Sequence, residues 1–568
     1  MLGFSPLASA PLADSGVTSI DYIIDAASGA FTLAGQAVTF DIAKDANQGT
    51  FTLTGQAVTF DIVRDANQGG FTFTGQAVTL TKALNVVASK GDFTLTGQSV
   101  DFVKALNVVA SKGAFTFTGQ SVGLNKTLNV SLDRGTFNLT GRAVGLFKHL
   151  IIGANRGSFT FTGRAAALGS NNLVASSGSF TLTGQEAALR PLNLAAGSGS
   201  FSVTERPVEL NVGRLFAANT GSFTFTGQNT ALRSLNIAVD SGSFTSTGQA
   251  VAFILERSNI MDVVHGTFVL TGQDVSLRSL NLAVQHGTFS LVGQSVDLVS
   301  NNLIAGTGVF TLTGQSVDLV ANNIIAGTGV FTLTGQSVDL VSNNVVAGSG
   351  PFTLSGTDAT LNSERSLSVD NGTNTLISQD TVFNYGTFVA PVTGTYALSG
   401  QEAALRPLNL AAESGSFDLT GPDTALNVGR HIDPVKADFS VVGIEVELLK
   451  SLNVVATKGS FDLDLQIVNA NITIRLIVNR GNYVVDGQNV QFSKTAFVPL
   501  ATTTGLQISF NDPQEIIVTE NITLFPPEYR NVIYLRSTDN DNTVYIKPEQ
   551  SKTVVISAQD KKITAYAA

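Results

Sequence analysis

Apolar and polar residues alternate along most of this chain, in a phrase that returns every 20 to 24 residues. The stretch Phe51–Gly69, FTLTGQAVTFDIVRDANQG, shows the pattern. Phe51 and Leu53 alternate with Thr52 and Thr54, and Val58, Phe60 and Ile62 alternate with Thr59 and Asp61. Period-two alternation rich in β-branched and aromatic residues predicts half-buried strands. The parity shifts across Gly55-Gln56, which predicts a turn. A Gly-X pair between alternating segments suits a tight type II′ hairpin turn. Folded that way, Leu53 faces Val58 and Phe51 faces Phe60 on one side of a hairpin. Many repeats add a third apolar phrase, such as Leu84-Asn85-Val86-Val87-Ala88 or Leu106-Asn107-Val108, closed by a Ser/Lys/Asn/Gly turn. Each unit thus reads as about three short strands separated by turns.

The aromatic anchor of the phrase recurs from Phe31 and Phe51 to Phe352. Its phase then passes through Asn374, Tyr396, Phe417, Phe439, Phe461 and Tyr483. That makes about 22 repeats across residues 17–492. Residues 289–350 are near-identical copies, and GQEAALRPLNLAA occurs at both Gly184–Ala196 and Gly400–Ala412. The fold class expected is all-β: a tandem-repeat fibre, either a β-solenoid or a stack of β-hairpins or meanders. A fibre of three intertwined chains satisfies the pattern as well. All of these bury a continuous Phe/Leu/Val core without a globular domain. The Gly-Gln turns favour local hairpins; the near-constant repeat length favours coils. Residues 1–16 read as a docking arm, 17–492 as the repeat shaft and 493–568 as a small β-domain capping it, since an open stack end exposes core and strand edges. That last stretch gains Pro513, Pro526, Pro527 and Pro548 and a higher charge density.

Composition narrows the reading. The 568 residues include 55 Gly and 36 Phe but no Cys, which excludes disulfides and thiolate metal sites. Only 13% of residues are charged, and the apolar content argues against disorder. The net charge of −10 suggests no basic track for nucleic acid. No apolar run reaches the roughly 18 residues of a membrane span. Ala8-Ser9-Ala10 imitates a signal-peptidase site, but no Lys or Arg precedes it and Pro6 interrupts the short apolar stretch, which argues against a secretory signal.

The FTLTGQ-type repeats joined to LNVxAxxG phrases resemble those of repetitive bacteriophage virion proteins, which are often encoded near tail genes. The opening GFSPLASAPLADSG looks like the start of such proteins. The run NTVYIKPEQSKTVVISAQDKKITAYA is similar to short β-repeats of other phage virion components. The resemblance covers nearly the whole chain, although each motif alone carries little information. It implies a non-enzymatic tail fibre or tail-associated shaft located in the virion and contributing to host attachment. Its partners would be other virion proteins and a host-surface receptor or glycan. A homo-oligomer, with a trimer as one option, is implied too, with no nucleic acid, membrane insertion or cofactor. A bacterial surface adhesin or extracellular fibril is the rival reading; it needs a secretion route. A smaller likeness lies in Gly386–Tyr396, GTFVAPVTGTY, which is similar to the core phrase of C1q-like trimeric heads. The repeat resumes immediately after it, so a variant repeat with Phe388 and Tyr396 in the core is the expectation.

No catalytic, cofactor or metal residue emerges from the sequence. The four histidines are His149, His265, His286 and His431. His265 and His286 each sit three residues before a repeat Phe, yet no HxH or HExxH spacing accompanies them. Asp101, Asp297, Asp318 and Asp339 recur in SVD phrases, with Asn301/Asn302, Asn322/Asn323 and Asn343/Asn344 nearby. Aligned Asp suits Ca²⁺, but the Gly-Asp-rich nonapeptide of calcium β-rolls is absent. A solvated Asp face and hydrogen-bonded Asn ladders are expected instead. No carboxylate pair stands out as a glycosidase site, and no GxSxG elbow occurs. Thr-x-Thr pairs such as Thr52/Thr54 and Thr311/Thr313 resemble ice-binding ladders. Unequal repeat lengths and the substitutions Ala34 and Val292 argue against lattice matching, so they read as ordinary strand formers.

Overall fold

The computed structural model describes the chain from Thr18 to Arg536 apart from short stretches; residues 1–17, 511–522, 526–533 and 537–568 lie outside the described residues. Every regular element among the described residues is a strand. The chain divides into two compact units, Met1–Leu280 and Asn281–Ala568.

Both units are parallel β-solenoids, in which each repeat is one coil. In the first unit Phe51 pairs with Phe31 on one side and Phe71 on the other, and Val58 pairs with Val38 and Val78. In the second, Phe310 pairs with Phe289 and Phe331. These pairings are parallel, so the hairpin expected at Gly55-Gln56 does not form: Phe51 never faces Phe60. A hairpin requires antiparallel partners close in sequence. Here the partner lies a full repeat away, and the Gly-Gln step is a corner between two sides of one coil. The type II′ turn goes with it. Among the described glycines only Gly29, at φ 106°, is left-handed.

Burial traces the coil. From Phe289 the inward residues are Phe289 and Leu291, then Val296, Leu298 and Ser300, then Leu303 and Ala305, before Phe310 begins the next coil. The three breaks in period-two parity are three corners, so a coil has three sides. At the corner after the second side, Ser300 is buried and its hydroxyl donates to the Asn302 carbonyl at 3.0 Å. Ser342 repeats this with Asn344 at 3.0 Å. The bond satisfies a polar atom that would otherwise be stranded in the core.

The first side carries an aromatic column. Phe289, Phe310, Phe331 and Phe352 stack at centroid spacings of 4.9, 4.7 and 4.7 Å, nearly parallel. That is the strand spacing of a sheet, so backbone pairing and ring stacking reinforce each other. Asn374 breaks the column between Phe352 and Tyr396. It is fully buried, and neither side-chain polar atom has a hydrogen-bond partner. The strand Phe388–Pro391 pairs in parallel with Ser366–Val369, and Tyr396 stacks on Phe417 at 5.0 Å. The C1q-like phrase is therefore an ordinary coil; the Phe388 side chain lies outside the described residues.

Unequal repeat lengths leave the columns intact. Phe244 and Phe268 remain paired although 24 residues separate them. Register shifts fall between the second and third sides, at Leu146/His149, Val212/Leu215 and Ser342/Asn344. The corner into the first side is tighter. A Cβ on Gly329 would stand 2.1 Å from the Gly308 carbonyl oxygen of the coil below, so this corner admits only hydrogen.

The docking arm expected at residues 1–16 lies outside the described residues, as does most of the capping domain expected at 493–568. The strands described there continue the parallel pairing: Leu506 pairs with Tyr483, and Tyr534 with Gln507.

Two substitutions test this core. Phe331→Ala is expected to cost about 3–5 kcal/mol, read as faster amide exchange in the coils of Phe310 and Phe352. Unchanged exchange would show that the column carries no stability. Gly329→Ala should lower the thermal midpoint, whereas Gly153→Ala, where an added Cβ meets nothing within 4 Å, should leave it unchanged.

Candidate functional site

Because the inward rows are occupied by the core, chemistry must lie in the outward rows and corners. On the first side two threonine rows run in register: Thr52 pairs with Thr72 and Thr54 with Thr74, then Thr72 with Thr94 and Thr74 with Thr96. The step from 20 to 22 residues does not disturb them, so unequal repeat length is no obstacle to a regular threonine face; the extra residues leave at corners. The interruptions at Ala34 and Val292 remain.

The third side opens with an asparagine ladder. Asn302 donates to Asn281 at 2.7 Å, Asn323 to Asn302 at 2.8 Å and Asn344 to Asn323 at 2.8 Å, and the Ser366 hydroxyl closes the run on Asn344 at 3.0 Å. In the first unit Asn129 donates to Asn107 at 3.1 Å and Asn193 to Asn172 at 2.6 Å. Each amide donates to one coil and accepts from the other, which is why identical asparagines can stack. Where the row lacks Asn, Ile151, Leu215 and Ile260 stand exposed.

The aspartates also align. Asp297, Asp318 and Asp339 occupy one register position on the second side. Desolvation lifts the Asp318 carboxyl above its ordinary range, and repulsion from Asp339 and Asp297 adds to the shift. Asp101 is placed differently: it pairs with Thr79 and Gly123 and accepts the Ser99 hydroxyl at 3.1 Å. Among the described residues no group of three His, Cys, Asp or Glu is arranged to hold a metal ion. His265 and His286 are exposed corner residues, and His286 Nδ1 shares a hydrogen bond with the Thr307 hydroxyl. The side chains of His149 and His431 lie outside the described residues.

The corner leading into the first side holds a feature that the sequence reading missed. Lys90, Lys112, Arg134 and Arg156 fall at one corner position in four successive coils, exposed. Farther along the same corner in the first unit, Ser177, Ser198, Thr220 and Ser241 continue the column and line a groove of about 470 Å³ that begins at Arg134 and Arg156. Net charge alone does not reveal this column. Net charge averages over the chain, whereas the coil gathers residues 22 apart onto one line. Reading charge at a fixed phase of the repeat would have found it.

No protein-family model, curated protein or solved structure matches the chain.

The aspartate row has a testable cost. A raised folded carboxyl binds its proton at pH values where the unfolded chain has already lost it. Stability therefore falls as pH rises from the ordinary carboxylate value through the raised one, and the cost is fully present at neutral pH. Asp318→Asn should raise stability at pH 7 by roughly a few tenths of a kcal/mol, because solvent screens this exposed row. In thermal melts the gain should vanish at a pH below the ordinary carboxylate range. An equal gain at both pH values would assign the effect to packing instead.

Proposed function

We propose that this chain is a non-enzymatic structural fibre of a bacteriophage virion, a tail fibre or tail-associated shaft that contributes to host-surface attachment. The observation that carries the reading is the self-templating coil. Each coil presents the same rows to the next, so duplicating a repeat extends the stack by one strand spacing, about 4.8 Å, without redesigning the core. Near-identical coils at residues 289–350 suit a spacer, in which length is the product and no coil needs a unique site. The likeness of the FTLTGQ phrases and of both chain ends to repetitive virion proteins supports the phage context.

Mechanically, such a stack works by preorganisation. A stiff shaft loses little entropy on attachment, and several copies on one particle raise the effective concentration of any weak contact. Other virion proteins would hold one end; a host receptor or glycan would meet the exposed surface.

Immunogold labelling with antibody to the purified chain tests this. Label on the tails of gradient-purified particles is the expected result. Label confined to the surface of uninfected cells would replace the virion reading with an adhesin or extracellular fibril.

A further inference from the structure

The cationic corner is built against the charge of the chain. The whole carries −10, yet residues 102–185 hold eight basic residues and one acidic one, Asp133. Backbone bonds fix the alignment: the Lys112 amide donates to the Ser89 carbonyl at 2.8 Å, Arg134 to Ser111 at 2.8 Å and Arg156 to Asp133 at 2.7 Å. Like charges in direct register repel, and among the described residues none of these four head groups has an ion-pair partner. Two acids flank the column. Asp133 precedes Arg134, and Asp92 follows Lys90 with its carboxylate turned to the Ala114 amide at 2.9 Å. The balance stays positive.

The groove continues this column with oxygen. Ser177 donates its hydroxyl to the Asn155 carbonyl at 2.7 Å, Ser198 to Ser176 at 3.1 Å and Thr220 to Gly197 at 3.0 Å. With their protons committed to the backbone, these hydroxyls offer lone pairs to a donor in the groove.

We propose that this corner binds a single strand of an acidic polysaccharide laid along the coil axis. Anionic groups of the polymer sit on Lys90, Lys112, Arg134 and Arg156, and sugar hydroxyls donate to the serine and threonine oxygens beyond. A repeating polymer matches a binding line that repeats at every coil. The groove has no aromatic side chain on which bases could stack, which favours a glycan over single-stranded nucleic acid. The site deepens the attachment part of the reading above and rests on it for its biological setting. Binding belongs to the purified chain, so a negative result removes this site and leaves the virion reading standing.

The test is titration calorimetry on the purified full chain with oligogalacturonate, neutral dextran and oligothymidylate at low and high salt. Oligogalacturonate should bind, weaken as salt screens the column, and outcompete oligothymidylate, while dextran gives no heat. The triple variant K112Q/R134Q/R156Q should lose affinity on the order of tenfold or more while its melting midpoint stays at or above that of the parent chain. Ser198→Glu should weaken binding without touching a cation, and Arg190→Gln, an exposed cation outside the column, should change nothing. No binding of oligogalacturonate, equal binding of dextran, or full affinity in the triple variant would overturn the proposal. So would tighter binding of oligothymidylate, or self-association that the triple variant abolishes, which would assign the corner to nucleic acid or to a second copy of the chain.

Discussion

The in-register parallel ladder is the constraint on which the rest of this molecule depends. Each coil must meet its neighbour at one strand spacing, so every side chain faces its own equivalent from the next repeat. The ladder is indifferent to which residue that is. Phe on Phe gains stacking at 4.7 Å, Asn on Asn gains a hydrogen bond at 2.8 Å, and Gly on Gly lets the backbone close at a corner that a Cβ would block. The same geometry sets Asp318 between Asp297 and Asp339 and lifts its carboxyl. Favourable and unfavourable columns have one origin.

Much of this was legible in the sequence, because a solenoid writes its core as a period. The aromatic phase identified the column, including the slots of Asn374 and Tyr396, and alternation within a repeat identified which residues point inward. What alternation cannot carry is the identity of the partner strand. Phe51 is apolar and inward whether it meets Phe60 across a hairpin or Phe71 in the next coil, so Gly55-Gln56 supported both turn and corner. The glycines decided it for a reason outside turn propensity. They are needed for close approach between coils rather than for a left-handed backbone, and sequence alone does not separate those two demands.

The outer rows were legible in part. The asparagine ladder followed from Asn302, Asn323 and Asn344 sharing a phase in near-identical repeats. The cationic corner was hidden because Lys at two of its positions gives way to Arg at the next two, and because serine and threonine replace both farther along that column. Similarity between repeats points to what is shared, which is the core. A ligand-binding line is written in what one group of repeats shares and the others lack.

This has a consequence for how chemistry can arise on such a scaffold. Inward rows admit little variation, and corners absorb insertions, as the register shifts at Leu146/His149 and Val212/Leu215 do. Outward positions are therefore free to change one coil at a time. A single change yields one group; the same change in consecutive coils yields a column with fixed spacing and direction. Four cations in sequence are isolated surface charges on most folds, screened and worth little apiece. On this one they form a line, and a line is complementary to a polymer in a way that no single residue can be.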